Sequence, residues 1–299
     1  MILDVSGLTK RFKNQFWAKP HYAVKDVSFR VKEGSITGFL GANGSGKTTS
    51  IKNILGLIYP DAGEITYFGG KPLSNEVKKR IGFLPERPYF YEYLTGTEFL
   101  QFYADLSGLK RGPNLRKRIQ TLLEKVELPH AADRPLRKYS KGMLQRIGIA
   151  QALIHDPDFV ILDEPMTGLD PDGRRTVAEI IKDCRKRGAT IFFSSHLLHD
   201  VETLCDELVI LVKGEVKYSG STQDLLKRAQ AGYRLVSIKD SSPQSERVVD
   251  QHHLQKRMRD LLDSQAQIIE VIAERPSLEE LFIEMSRKGS QEQVEKASN

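Results

Sequence analysis

Residues 41–48, Gly41-Ala42-Asn43-Gly44-Ser45-Gly46-Lys47-Thr48, satisfy the pattern G-x-x-x-x-G-K-[ST] in full. No other stretch of the 299-residue chain limits its fold so strongly. The pattern works only as a turn between a buried strand and a helix, and its flanks comply. Residues 35–40 read as a strand after the Glu33-Gly34 turn, and residues 48–57 read as a helix. The glycines let backbone N–H groups turn inward around phosphate oxygens, and the helix N-terminus adds partial positive charge. Lys47 is placed to reach β- and γ-phosphates, the Thr48 hydroxyl to ligate Mg²⁺, and Thr49 to touch the α-phosphate. The expected ligand is a nucleoside triphosphate.

The pattern around this turn alternates strands with helices. Residues 3–8 and 24–31 alternate apolar and polar side chains, and residues 64–68 form a short strand closed by Gly69-Gly70. Residues 87–153 turn helical, with Phe99, Phe102, Tyr103 and Leu106 at three- and four-residue spacing. Then follow an apolar strand at 159–162, a helix at 176–187, a strand at 190–193, a helix at 197–204 and a strand at 207–212. The expectation is an α/β fold with a mainly parallel core sheet covered on both faces. It carries an N-terminal antiparallel β subdomain and a helical subdomain over about 87–153. The character changes after Gly220: strands are expected at 233–238 and 267–272 and helices at 254–262 and 277–285, with a polar Ser- and Gln-rich stretch at 239–247. The reading is one domain over 1–220, a small α/β appendage over 221–287 and a tail over 288–299.

Three further segments carry chemistry. The apolar run ending at Leu162 leads into Asp163 and Glu164, where a parallel sheet opens its ligand crevice. Asp163 is placed to hold Mg²⁺ through water and Glu164 to polarise an attacking water. Adjacent side chains on a strand point to opposite faces, so the two acids divide the work. His196 ends the next strand after Ser194-Ser195, in reach of the γ-phosphate or the attacking water. Ser140-Lys141-Gly142-Met143 opens a helix with a serine cap, a second anion site of weaker signal.

Cys184 and Cys205 fall on predicted helices away from other metal ligands and read as reduced thiols. The net charge is +6, from 45 Lys+Arg against 39 Asp+Glu, and its placement is uneven. Residues 110–146 hold eleven basic side chains against three acidic ones, whereas residues 222–299 hold twelve against thirteen. Such a stretch is a solvated helical face, or a surface for nucleic acid, anionic lipid or an acidic partner. No apolar run approaches the roughly 20 residues of a membrane span, and the first residues show no basic-then-apolar leader. A cytoplasmic protein is the expectation.

The ordered set of segments resembles the ATPase subunit of ABC transporters. It comprises the phosphate loop at 41–48, Tyr139-Ser140-Lys141-Gly142-Met143-Leu144-Gln145-Arg146 as the signature helix, and residues 159–165 as the second nucleotide motif. Gly168-Leu169-Asp170 looks like the D-loop and His196 like the switch histidine. The resemblance spans residues 1 to about 220. It implies two such domains, in a homodimer or with a paired ATPase subunit, sandwiching two ATP molecules head to tail. The loop of one then faces Ser140, Lys141, Gly142 and Met143 of the other, and Glu164 hydrolyses ATP with Mg²⁺ as cofactor. Lys141 and Met143 depart from the usual Gly and Gln, and Glu86 stands where a Mg²⁺-touching glutamine is usual. Phe12 is the implied adenine-stacking aromatic, with Trp17 and Tyr22 as alternatives. These variants, with Arg275-Pro276-Ser277-Leu278-Glu279-Glu280-Leu281-Phe282, look most like the ABC-2 exporter group, whose ATPases serve a separate integral membrane permease at the cytoplasmic face. A soluble ABC ATPase acting on ribosomes or nucleic acid is the alternative, supported by the basic stretch alone, and nucleic acid is not the expected partner. A small-molecule kinase would leave the signature helix, the D-loop and His196 unexplained.

Overall fold

The computed structural model describes residues 1–12, 21–228, 232–239, 242–248, 250–274, 278–283 and 285. Trp17, residues 275–277 and the tail over 288–299 lie outside the described residues. The chain divides into two compact units, Met1–Ser219 and Gly220–Asn299.

The first unit opens with β1 (Leu3–Phe12), β2 (His21–Val31), β3 (Ile36–Leu40), α1 (Lys47–Ile54) and β4 (Ala62–Tyr67). Next come α2 (Asn75–Lys78), β5 (Ile81–Leu84), α3 (Gly96–Leu106), α4 (Pro113–Lys125) and α5 (Lys141–Leu153). It continues through β6 (Phe159–Asp163), α6 (Pro171–Lys186), β7 (Thr190–Ser195), α7 (Leu198–Leu204), β8 (Glu207–Val212) and β9 (Glu215–Ser221). β1, β2 and β4 form an antiparallel sheet in the order β2-β1-β4. A six-stranded sheet runs β5-β6-β7-β3-β8-β9 and is parallel from β5 through β8. Every residue of β3, β6 and β7 is buried, which is why β6 reads as an apolar run up to Asp163 and why β3 and β7 do not alternate apolar with charged residues. One hydrophobic core joins Val5, Leu8 and Phe29 of the antiparallel sheet to Ile51 and Ile54 of α1 and to Phe39, Phe159 and Phe192 of the parallel one. Burying each phenylalanine contributes about 1.5–3 kcal/mol.

The helical region is tied down by specific bonds. Thr95 and Glu98 form a reciprocal capping box at the start of α3. Arg118 of α4 donates to the carbonyls of Leu153 and Ile154, answering acceptors that the end of α5 leaves open. Leu106, expected on the buried stripe, is instead exposed at the last position of α3.

The second unit contains α8 (Thr222–Arg228), β10 (Gly232–Lys239), β11 (Ser242–Val248), α9 (Gln251–Asp263) and β12 (Gln267–Glu274), with residues 278–283 helical. Its sheet is antiparallel in the order β11-β10-β12, and its core gathers Leu235, Val248, Leu254, Leu261 and Ala266. The polar stretch expected between elements is therefore partly strand β11. An edge strand with one face in water needs few apolar residues, so its composition resembles a loop. Two other expectations are corrected. Cys205 is not helical but caps α7 in an extended conformation, and both cysteines are free and buried. Strand β9 went unpredicted because all seven of its residues keep some exposure, which removes the periodic signal. No helix among the described residues is long and apolar enough to cross a membrane.

Candidate functional site

Parallel strands bring their carboxyl ends to one edge, and the register there decides which side chains meet. Asp163 is paired with Ser194 across β6 and β7, and Leu40 with Ser195 across β3 and β7. The turn after β3, the acids after β6 and His196 after β7 therefore converge. A cleft of about 360 Å³ opens at this edge, lined by Ala42, Asn43, Gly44, Gly46, Lys47, Thr48 and Thr49 of the loop and by Glu86, Glu164 and His196. His21, Ala23 and Thr167 complete it.

The loop's shape follows from its glycines. Gly46 has φ 105°, and a Cβ there would come within 2.5 Å of the Ala23 carbonyl oxygen. It is also the N-cap of α1 and offers no side chain to the first-turn N–H groups, while no acid occupies that turn. Such a helix start carries uncapped donors and partial positive charge suited to an anion. The Ser45 hydroxyl is buried without a partner among the described residues. Lys47, only 6% exposed, donates to Gly41 O at 2.6 Å and Ala42 O at 3.4 Å and lies 3.2 Å from Glu164 Oε1.

Glu164 has φ 53°, a left-handed conformation that is strained for a non-glycine residue. It is held there by tertiary bonds. Its N–H donates to Ser194 Oγ at 2.9 Å, and the same hydroxyl donates to Asp163 Oδ1 at 2.5 Å. Glu164 Oε2 meets His196 Nδ1 at 2.7 Å and accepts from Thr167 Oγ1 at 3.1 Å. One buried serine thus orients both acids. Burial pushes the Asp163 carboxyl above its usual range, against hydrogen bonds from Ser194 and Thr48, and the charges of Glu86 and Glu164 push it further up. The Thr48 hydroxyl beside the Asp163 carboxylate is a hard-oxygen pair that suits Mg²⁺, which takes few protein ligands beside phosphate oxygens and water. Among the described residues no larger cluster of potential metal ligands exists.

The remaining candidates lie apart from this cleft. Phe12 pairs with His21 across β1 and β2, is 41% exposed and does not line the cleft, where His21 and Ala23 stand. Tyr22 is exposed beside Arg11 and Lys25. Ser140 caps α5 by accepting from Met143 N at 3.2 Å. Lys141 lies against Gly168, where an added Cβ would come 2.6 Å from its ammonium, and Gly142 faces Leu169. Asp170 caps α6 through Gly173 N at 3.0 Å. Gln145 Nε2 donates to Pro165 O at 3.0 Å. The signature helix start is thus fastened to the segment that follows Glu164, and Ser140, Lys141, Gly142 and Met143 do not reach the cleft of their own chain.

Sequence reasoning missed His21, Thr167 and Ser194. The strand register puts Ser194 on the face of Asp163, and this placement, like the Phe12–His21 pairing, depends on a register that no local pattern reveals.

A buried strand, a glycine turn on a bare helix start, a lysine in the loop and paired acids at the sheet's carboxyl edge define a P-loop ATPase. The ABC transporter family pattern matches residues 24–167. The chain is 40% identical to the ABC transporter ATP-binding protein sll0415 of Synechocystis sp., over 96% of this chain and 85% of that protein. It is 41% identical to the bacitracin transport ATP-binding protein BcrA of Bacillus licheniformis, over 72% of this chain and 68% of that one. A solved dimer of the ATP-binding cassette MJ0796 bound to ADP and Pi superposes with TM-score 0.67 at 26% identity, covering 74% of this chain and 98% of that one. The chain belongs to the ABC transporter ATP-binding proteins and is an ATP-hydrolysing subunit.

Proposed function

We infer that this ATPase pairs with a second ATPase subunit around two ATP molecules and drives a separate membrane permease, in the direction of export. The observation that carries the pairing is that the second candidate anion site does not line the cleft of the first. Ser140 and Gly142 stand exposed or half-exposed at a helix start outside the cleft of Lys47, so a phosphate reaching them is supplied by another copy. The MJ0796 cassette is dimeric, and the bacitracin transport protein supports coupling to transport; the direction, export, rests on the resemblance to the ABC-2 group. Tyr89 and Tyr93, 81% and 70% exposed, flank Tyr91, whose ring meets both, an aromatic surface suited to a partner, and we assign the permease to it. The reading places the chain at the cytoplasmic face of the membrane.

Within the cleft, phosphate oxygens compete with Glu164 for the Lys47 ammonium. Their binding frees Glu164 Oε1 to take a proton from the attacking water, while His196 stays on Oε2. Water oxygen bonds to the γ-phosphorus as the bond to the bridging oxygen breaks, and Lys47 and the loop N–H groups stabilise the charge. Thr48 and Asp163 would hold a magnesium ion, which would supply neutralisation of phosphate charge. Glu86, exposed at the cleft, adds a third carboxylate where a neutral amide is usual. The 1–220 and 221–287 divisions, Phe12 as adenine platform and the D-loop at Gly168, Leu169 and Asp170 belong to this same reading.

The basic stretch gives the nucleic-acid alternative little support. Arg111, Arg118, Lys125 and Arg146 are paired with Asp105, Asp156, Asp183 and Glu127. The test is Glu164→Gln, expected to retain ATP, lose about a hundredfold or more of hydrolysis and accumulate as a dimer with ATP. Recovered from gently solubilised native membranes with ATP and Mg²⁺, it should bring down a polytopic membrane protein. A monomer with normal turnover, or ribosomes alone in the eluate, overturns the reading.

A further inference from the structure

We propose that Thr167 is a positioning residue for hydrolysis: its hydroxyl selects which oxygen of Glu164 accepts the proton of the attacking water. The inference rests on the reading of Glu164 as general base. The Glu164 carboxylate receives three donors, and they are unequally shared. Among the described residues, Oε1 has only the Lys47 ammonium at 3.2 Å. Oε2 has both the His196 ring nitrogen at 2.7 Å and the Thr167 hydroxyl at 3.1 Å. An sp² carboxylate oxygen offers two in-plane lone pairs, so Oε2 is filled and Oε1 is not.

The two sides also differ in permanence. Lys47 is the group that a bound phosphate draws away, so Oε1 is released when nucleotide arrives. Thr167 belongs to the turn that begins at Glu164. Its N–H donates to Glu164 O at 3.2 Å, and its hydroxyl returns to the carboxylate of the same residue. That turn is anchored in two directions, by Gln145 on Pro165 O and by Ser194 on Glu164 N. His196 is a looser holder, with a side chain 36% exposed on the segment entering a helix of seven residues. When Lys47 moves to phosphate, Thr167 is the donor on the carboxylate's own turn, and it keeps Oε2 turned away from the water. Without it the carboxylate can rotate about its last torsion, which is broad and two-fold, and present either oxygen at either angle.

The experiment is steady-state ATP hydrolysis by the full chain carrying Thr167→Val, Thr167→Ser or Glu164→Gln, and by the Thr167→Val/Glu164→Gln double variant. Valine keeps the shape and removes the donor. We expect kcat to fall about tenfold or more, the size of one lost hydrogen bond to a charged group, with KM for ATP unchanged and the thermal midpoint lowered by only a few degrees. Serine should restore most of the rate. In the Glu164→Gln background, Thr167→Val should cost no further rate, because the two residues act as one unit. Wild-type kcat in Thr167→Val, a rise in KM in place of a fall in kcat, or full additivity in the double variant overturns the proposal. If Glu164→Gln itself turns over normally, the general-base reading fails. If Glu164→Gln is inactive while Thr167→Val is normal, only the role of Thr167 fails.

Discussion

Ser194→Ala tests whether one buried hydroxyl organises both acids. Ser194 is fully buried, donates to Asp163 Oδ1 at 2.5 Å and accepts from Glu164 N at 2.9 Å. Alanine removes a hydrogen bond to a carboxylate, worth about 1.5–3 kcal/mol, and leaves the Glu164 N–H buried without an acceptor, a further penalty of about 1–3 kcal/mol. Thr48 still donates to Asp163, which favours the low end of the sum. The expected loss is about 3 kcal/mol, a drop of about 6–12 °C in the midpoint of a domain of this size. Ser195→Ala is the control in the same strand. Among the described residues its hydroxyl serves only the next turn, accepting from Leu197 N at 2.9 Å and donating to Leu197 O at 3.3 Å, so about 1 kcal/mol is expected. Calorimetry of the full chain, following the transition of the nucleotide-binding unit, separates the two, and ATP turnover should fall with Ser194→Ala far more than with Ser195→Ala. Equal midpoints for the two variants would refute the assignment of Ser194 as the shared anchor.

Three other perturbations have defined outcomes. Lys47→Ala should abolish nucleotide binding, measured by calorimetric titration, since it removes the buried ammonium of the loop; unchanged affinity would mean the loop is misassigned. Gly82→Ala should destabilise by about 1–3 kcal/mol in denaturant unfolding, because a Cβ there collides with the Ala152 carbonyl and Pro157; a neutral effect would show that β5 and α5 can separate. Burial holds the His155 imidazole below its usual 6.5, with a lesser upward pull from its contact with Ile81 O and weaker effects of Arg118 and Asp156. The folded chain therefore binds that proton less readily than the unfolded one, and the stability involved is present above about pH 6.5 and lost as pH falls toward the folded value. Relative to His155→Gln, the wild type should lose midpoint as pH drops from 7 to 5, and a flat or inverted difference would contradict this.

What local sequence determined is everything that depends on short range. The loop at 41–48 needs glycine at fixed offsets and a lysine after them, so both its conformation and its ligand are written in consecutive residues. Strand β6 was legible because burial on both faces demands a continuous apolar run, β3 and β7 through their apolar cores Phe39-Leu40 and Ile191-Phe192-Phe193, and Asp163 and Glu164 because charge ends such a run. The signature helix was legible through its serine cap. Tertiary structure decided what joins these pieces. That Asp163 sits opposite Ser194 follows from the register of two strands about thirty residues apart, and a shift of one residue would turn Ser194 away. That Glu164 can hold a left-handed backbone follows from the same serine and from the turn closed by Thr167. That Phe12 stands outside the cleft while His21 lines it follows from where the hairpin of β1 and β2 ends against the loop. Side-chain type and spacing along the chain specify local conformation and chemical capacity. Which capacities meet is set by long-range hydrogen-bond register and packing, and these leave no periodic trace in either segment alone.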